Sequence, residues 1–199
     1  MKDKYNDEIG IIKITQFAPK LENVQVEHLT IGFIISGAKN IDGIDSCIKL
    51  HKEELYYVSR GSYQTYSEPI SINPFEEVVI NYDEGEVREL YQLVLELRNH
   101  RHHHKQSRPL SAVDVIPHDN NRNIITLLNR LCGSTIGQLV GQDYKSFKAN
   151  KIKLVRLLLQ LNKCENLVAA IEQANKTVII LLRVERLADN RNCPPLRLT

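Results

Sequence analysis

The densest chemistry in this sequence is a run of histidines. His100, His102, His103 and His104 stand almost side by side, and imidazole is a ready ligand for zinc and other transition metals. A metal site needs lone pairs that converge from fixed positions, which adjacent histidines on an irregular loop do not supply. No carboxylate or thiol lies nearby in sequence to complete a shell, and Arg98, Arg101, Lys105 and Arg108 surround the run. The segment reads as an exposed basic loop. His28 and His51 lie far apart, with no His-x-His pair between them. No metal and no cofactor is expected.

Catalytic groups are equally sparse. There is no Gly-x-Ser-x-Gly nucleophile turn, no cysteine placed against a histidine, and no Gly-rich phosphate loop. Glu76-Glu77 and Asp83-Glu84 are adjacent carboxylates. They fall in a strand start and a helix N-terminus, where acidic residues serve solubility and capping more often than acid–base work. This thin inventory favours a binding or regulatory module over an enzyme.

What remains is one aromatic stretch, residues 53–66, EELYYVSRGSYQTY. Leu55, Tyr56, Tyr57 and Val58 form an apolar run. Arg60-Gly61-Ser62 then turns the chain, and Tyr63 and Thr65 alternate with Gln64 and Tyr66. Aromatic and β-branched residues at period two suit a pleated, half-buried surface. Gly61 suits a bulge or tight turn needing positive φ. A strand followed by a kinked second strand is how small barrels and jelly rolls turn a corner. The tyrosines admit two readings, core and rim packing with bonded hydroxyls, or a pocket between barrel and helices for a small effector. Arg60 likewise is either a turn residue bonding carbonyls or the partner of an anionic ligand group, its guanidinium offering a planar fork of donors.

The elements that would position these residues come in two blocks. Up to residue 82, short apolar or alternating segments at 9–17, 23–28, 29–36, 46–50, 55–66 and 76–82 are separated by turn signals such as Asn40–Gly43. Regular short strands with such turns predict a sandwich or barrel. From Glu84 the period becomes helical, with Val87, Leu90, Tyr91, Val94 and Leu97 on one side. Further helices are expected over 121–131, 147–161 and 165–182, with a short one at 184–190; residues 111–117 read as a stray extended segment. Strands first and helices afterwards is the α+β order.

With 199 residues, 42% of them hydrophobic, the chain is long enough for a real core. Its net charge of +2 demands no polyanion as partner. Four cysteines without Cys-x-x-Cys spacing read as the thiols of a reducing cytoplasm. The polar N-terminus and the shortness of the longest apolar run predict a cytoplasmic protein that does not enter the membrane.

The stretch Leu55, Tyr56, Tyr57, Val58, Ser59, Arg60, Gly61, Ser62, Tyr63 resembles the N-terminal domain of AraC/XylS-type transcription regulators, particularly those of the virulence and type III secretion group. The helix beginning at Glu84 also sits where that family begins its helical part. In the tail, Leu187 and Ala188, then Pro194, Pro195 and Leu196, are similar to the start of the family's first helix-turn-helix. The chain stops there, too short for a complete reader of the major groove.

The resemblance implies a cupin-like, small β-barrel or jelly-roll effector-sensing domain over residues 1–82. It implies a helical dimerisation and linker region over 83–175, a bundle of about four helices, and an incomplete DNA-binding start over 176–199. Effector contacts are then expected at Tyr57, Arg60, Tyr63, Tyr66 and Tyr82. A homodimer interface is expected at Phe147, Ile152, Val155, Leu158 and Leu159, and partial DNA contacts at Arg197 and Thr199. A non-catalytic regulator whose effector is a small molecule or a protein is the leading reading. The alternatives are a cupin-fold metal-binding protein or enzyme, and an adaptor or antagonist that heterodimerises with a full-length regulator.

Overall fold

The computed structural model describes residues 10–44, 46–100, 111–118, 121–133, 144–161 and 164–191. The histidine run beyond residue 100, Cys193 and the tail residues Pro194, Pro195, Leu196, Arg197 and Thr199 lie outside them.

Eight strands occupy the first block: β1 (Ile11–Gln16), β2 (Lys20–Val26), β3 (Leu29–Ser36), β4 (Ala38–Asp42), β5 (Cys47–His51), β6 (Leu55–Val58), β7 (Gly61–Glu68) and β8 (Phe75–Tyr82). A ninth, β9 (Val113–Ile116), follows helix α1 (Glu84–His100). They form two sheets, in the orders β1-β8-β3-β6-β9 and β2-β7-β4-β5. Every pairing is antiparallel. Apart from the β4–β5 hairpin, successive strands β1 to β8 alternate between the sheets, which is the double Greek key of a jelly roll. The expected α+β class, a small jelly roll of strands followed by helices, is what the chain adopts.

Two corrections concern the strands. The sandwich does not end at residue 82, because Val113–Ile116 pairs with β6 and forms the edge of the first sheet. Its four residues carry little signal of their own; their pairing partner lies far back in the chain. The second concerns Gly61 of the aromatic stretch, whose corner lies where it is expected. Residues 55–58 and 61–68 do not pair with each other but cross from one sheet to the other at Ser59-Arg60. Nor does Gly61 take a positive φ; among the described glycines that belongs to Gly10 and to Gly37, at +92°, between β3 and β4. At Gly61 the reason is space. An added Cβ would lie 3.0 Å from the Tyr63 hydroxyl, which donates to the Ser59 carbonyl at 2.8 Å and clasps the corner.

The first sheet is buried on both faces. One face, with Leu29, Ile31, Phe33, Leu55, Tyr57, Val78, Ile80 and Tyr82, packs against the helices. The other, with Ile34, Tyr56, Val58 and Phe75, packs against Ile41, Leu50 and Tyr63 of the second sheet. Central strands buried on both sides read as continuous apolar runs, as β3 does.

The helices are α1, α2 (Arg122–Gly133), α3 (Tyr144–Gln160) and α4 (Glu165–Arg191). An Asp83–Glu86 capping box opens α1. The Glu86 amide donates to Asp83 Oδ1 at 2.7 Å, and the Asp83 amide donates to Glu86 Oε2 at 2.9 Å. The separate helix expected at 184–190 is the continuation of α4, which runs unbroken for 27 residues.

Helix α3 brings the main correction to the expected interface. Phe147, Ile152, Val155, Leu158 and Leu159 are all buried in this chain's own core, against the first sheet and the other helices. They have no free surface with which to meet a second copy. A strongly apolar helix face declares that something covers it, and here the cover is intramolecular.

Candidate functional site

Between the two sheets lies a cluster of charge that strand alternation explains. Along β8, Phe75 and Glu77 face the second sheet while Val78, Ile80 and Tyr82 face the helices. Glu77 is fully buried. It accepts two hydrogen bonds from Lys39 Nζ of β4, at 2.6 and 2.9 Å, and one from the Tyr56 hydroxyl of β6. The Lys39 ammonium also stands 5.7 Å from the Tyr56 ring centroid. Burial, with the Glu77 charge and hydrogen bond beside it, pushes the Tyr56 phenol well above its usual range. The Tyr56 ring lies over Gly32 on the neighbouring strand, where an added Cβ would meet it at 2.1 Å. Each member of this triad is held by the others and packed on all sides, an arrangement suited to fixing the sandwich rather than to receiving a ligand.

The sequence reading placed the Glu76-Glu77 pair at the surface. That fits Glu76, which makes a half-exposed ion pair with Lys13 at 3.1 Å, and fails for Glu77. The signal that would have found it is the alternation of Phe75 and Glu77 against Val78 and Ile80.

A second buried ion pair joins two of the helices, and Tyr82 of β8 ties the sandwich to it. Lys151 Nζ of α3 lies 2.6 Å from Glu86 Oε2 of α1, both side chains nearly inaccessible. The ammonium sits 5.2 Å from the Tyr82 ring centroid. Tyr82 donates its hydroxyl to the Lys151 carbonyl at 3.3 Å. Burial, reinforced by the Glu86 charge, raises its phenol well above the ordinary value.

An open site is a cavity of about 370 Å³ at the end of the sandwich, beneath α4. The β2–β3 corner contributes Glu27, His28 and Leu29, and the β6–β7 corner contributes Ser59 and Arg60. Helix α1 adds Glu84 and Val87, and α4 adds Gln173, Ala174, Thr177, Val178 and Leu181. Its size falls in the range of small-molecule pockets. Leu29, Val87 and Val178 are buried and form an apolar floor; Glu27, His28 and Arg60 are exposed at the rim. The oxygen of the Ser59 hydroxyl is shut from solvent and meets no hydrogen-bond partner among the described residues.

Of the five expected effector contacts, Arg60 alone lines this cavity. Tyr57 is fully buried on the helix side, its hydroxyl donating to the Ser111 carbonyl at 3.0 Å and its phenol raised mainly by burial. Tyr63 points between the sheets. Tyr66 is on the outward face of β7, half-exposed. Tyr82 is sealed against α3. Sequence reasoning missed the α4 side of the cavity, because only the fold brings residues 173–181 beneath the β6–β7 corner. Among the described residues no three His, Cys, Asp or Glu side chains converge as a metal-binding group, and no helix is long and apolar enough to cross a membrane.

No protein-family model matches the chain, and no curated protein matches it either. Solved structures do. The AraC-like transcriptional activator CuxR aligns with a TM-score of 0.49 at 10% identity, over 82% of this chain and 53% of its own. ToxT from Vibrio cholerae aligns with a TM-score of 0.46 at 11% identity, over 77% of this chain and 54% of its own. A cupin-superfamily protein from Desulfitobacterium hafniense aligns with a TM-score of 0.31 at 16% identity, over 37% of this chain and 66% of its own. The chain thus spans about half the length of the two regulators it matches. At such identities and scores the likeness is one of outline, and the fold rests on the strand pairing described above. In that outline the chain is similar to AraC-like transcription regulators and to cupins.

Proposed function

We propose that this chain is the sensing part of an AraC-like transcription regulator, non-catalytic and cytoplasmic, and that the cavity beneath α4 is where it receives its signal. The observation that carries the reading is the position of Arg60. It belongs to the Arg-Gly-Ser corner that resembles the family, and it stands on the rim of a cavity whose opposite wall is α4. A molecule seated there touches the sandwich and α4 together, so its binding energy would bias how that helix is held. Helix α4 leads toward residues 192–199, where the sequence resembles the start of a DNA reader.

Pairing with a second copy is part of the proposed role, through a surface other than the buried apolar face of α3. A fusion of the whole chain to a heterologous DNA reader that represses a reporter only as a dimer tests both parts. Repression expected from the fusion supports pairing, and its change when the cavity is filled by Ala174→Trp supports sensing. A fusion that never represses, or repression indifferent to Ala174→Trp, contradicts the corresponding part.

A further inference from the structure

Resting on the reading that this chain pairs with a second copy, we infer that the pairing surface is the open edge of β2, joined to β2 of the second copy in an antiparallel ladder. The two sheets leave four edge strands, β1, β2, β5 and β9, and β2 is the longest of them at 7 residues. Its register with β7 runs from Lys20 opposite Ser67 to Val26 opposite Gly61 without a bulge. No described residue hydrogen-bonds to the backbone on its other side. Leu21, at 63% exposure, and Val24, at 37%, are open to solvent on opposite faces of the strand. A long, unbulged edge with unpaired backbone groups is a template for another strand.

Which groups the edge offers follows from alternation along each strand. The Gly43 amide donates to the Ser46 carbonyl at 2.7 Å, so Gly43 and its alternates Ile41 and Lys39 turn their backbone groups toward β5. Asn40 and Asp42 therefore turn toward β7, onto Tyr66 and Gln64. Tyr63, Thr65 and Ser67 in turn face Val24, Glu22 and Lys20 of β2. Leu21, Asn23 and Gln25 are left holding both N–H and C=O toward the open side.

These groups match a second copy of themselves. In an antiparallel ladder about a two-fold axis, one residue stands opposite itself. An axis at Leu21 sets Pro19, which has no N–H, against Asn23, and an axis at Glu22 sets two like charges face to face. Axes nearer either end leave Leu21 or Gln25 outside the ladder. An axis at Asn23 pairs Asn23 with itself and Leu21 with Gln25, so every free group is bonded and no like charges stand opposite. The charges of the strand, Lys20 and Glu22, are already matched to each other at 2.6 Å, so an approaching copy meets no net charge. This register also brings the β1–β2 corner, where Phe17 is 83% exposed, beside the β2–β3 corner of the second copy at its cavity rim.

Sedimentation and crosslinking of the full chain are the test. Asn23→Pro deletes the central amide, which serves no bond within one chain, and should raise the dimer Kd about tenfold or more while the monomer stays folded. Asn23→Cys sets two thiols opposite each other with Cα atoms about 5.5 Å apart, within disulfide reach. Mild oxidation should therefore join residue 23 to residue 23, as peptide mass spectrometry reads directly, and this readout does not depend on the proline variant. Gln64→Cys, on the same outer face one strand inward, should not crosslink. A dimer that a folded Asn23→Pro leaves intact, or crosslinking no faster at residue 23 than at residue 64, overturns the β2 edge and leaves pairing itself standing. A wild-type chain that sediments as a monomer at every concentration overturns both.

Discussion

Two groups of mixed charge in this molecule look alike in composition and opposite in circumstance. Between the sheets, Lys39, Glu77 and Tyr56 are buried and bonded to one another. At the end of the sandwich, Arg60, Glu27 and Glu84 surround a cavity and form no ion pair among the described residues. The first group has answered its own electrostatic demands, and so its chemistry is spent on architecture. The second stands in contact with solvent next to an apolar floor, where its charges can exchange water for a ligand. Charge sealed in the core serves the scaffold, whereas charge on the wet rim of a cavity is free to meet a ligand.

The sharpest way to break this contrast is to disturb the internal triad. Glu77→Ala leaves the Lys39 ammonium buried with its main partner gone, and should cost about 3–5 kcal/mol in denaturant unfolding. The triple replacement Lys39→Met/Glu77→Leu/Tyr56→Phe removes both charges and the hydroxyl bonded to them, and should recover that loss, reaching wild-type stability or exceeding it by about 1–4 kcal/mol. If Glu77→Ala alone is neutral, the triad is not sealed and the contrast fails.

Next in size is the α3 core. Leu158→Ala should cost about 2–5 kcal/mol of unfolding free energy through the cavity it leaves. Sedimentation of the folded variant should show no change in self-association, since Leu158 is fully buried within one chain. Loss of a dimer at unchanged monomer stability would return α3 to the role the sequence suggested.

The tyrosines give a smaller and pH-dependent effect. Tyr56, Tyr57 and Tyr82 have phenols raised above 10 in the folded chain, in each case chiefly by burial. A raised folded value means that the folded state holds the proton after the unfolded state has released it. Stability is therefore intact below pH 10 and falls as pH rises above it, by up to about 1.4 kcal/mol per pH unit for each such tyrosine. Absorbance of phenolate followed through an alkaline titration should show these groups ionising together with unfolding. Free ionisation of all eight tyrosines in the native chain near pH 10 would contradict their burial.

How much of this was legible in the sequence depends on the range of the interaction. Helix α1 was readable because its apolar period and its Asp83–Glu86 cap are local. The corner at Arg60-Gly61 was readable as a corner, while the reason for Gly61, close packing under Tyr63, needed the fold. Edge strand β9 was not readable, since four residues gain their meaning only from β6. The apolar face of α3 was plain in the sequence, but periodicity does not say whether a face meets its own chain or another. Glu77 was misread because an acidic doublet suggests solvent, whereas the partner that admits it to the interior, Lys39, comes from a different strand.

The most direct test of the account is native mass spectrometry of the full chain after incubation with a small-molecule extract of its source cells, compared with Ala174→Trp. That substitution fills the cavity at a half-buried position of α4 packed against the core, and a denaturant melt of the variant, expected to lose about 1–3 kcal/mol, checks that it is folded. The expected result is one retained small molecule on the wild-type chain and none on the variant. A bare wild-type chain, or the same molecule retained equally by both, would contradict the assignment of this cavity as the place where the protein receives its signal.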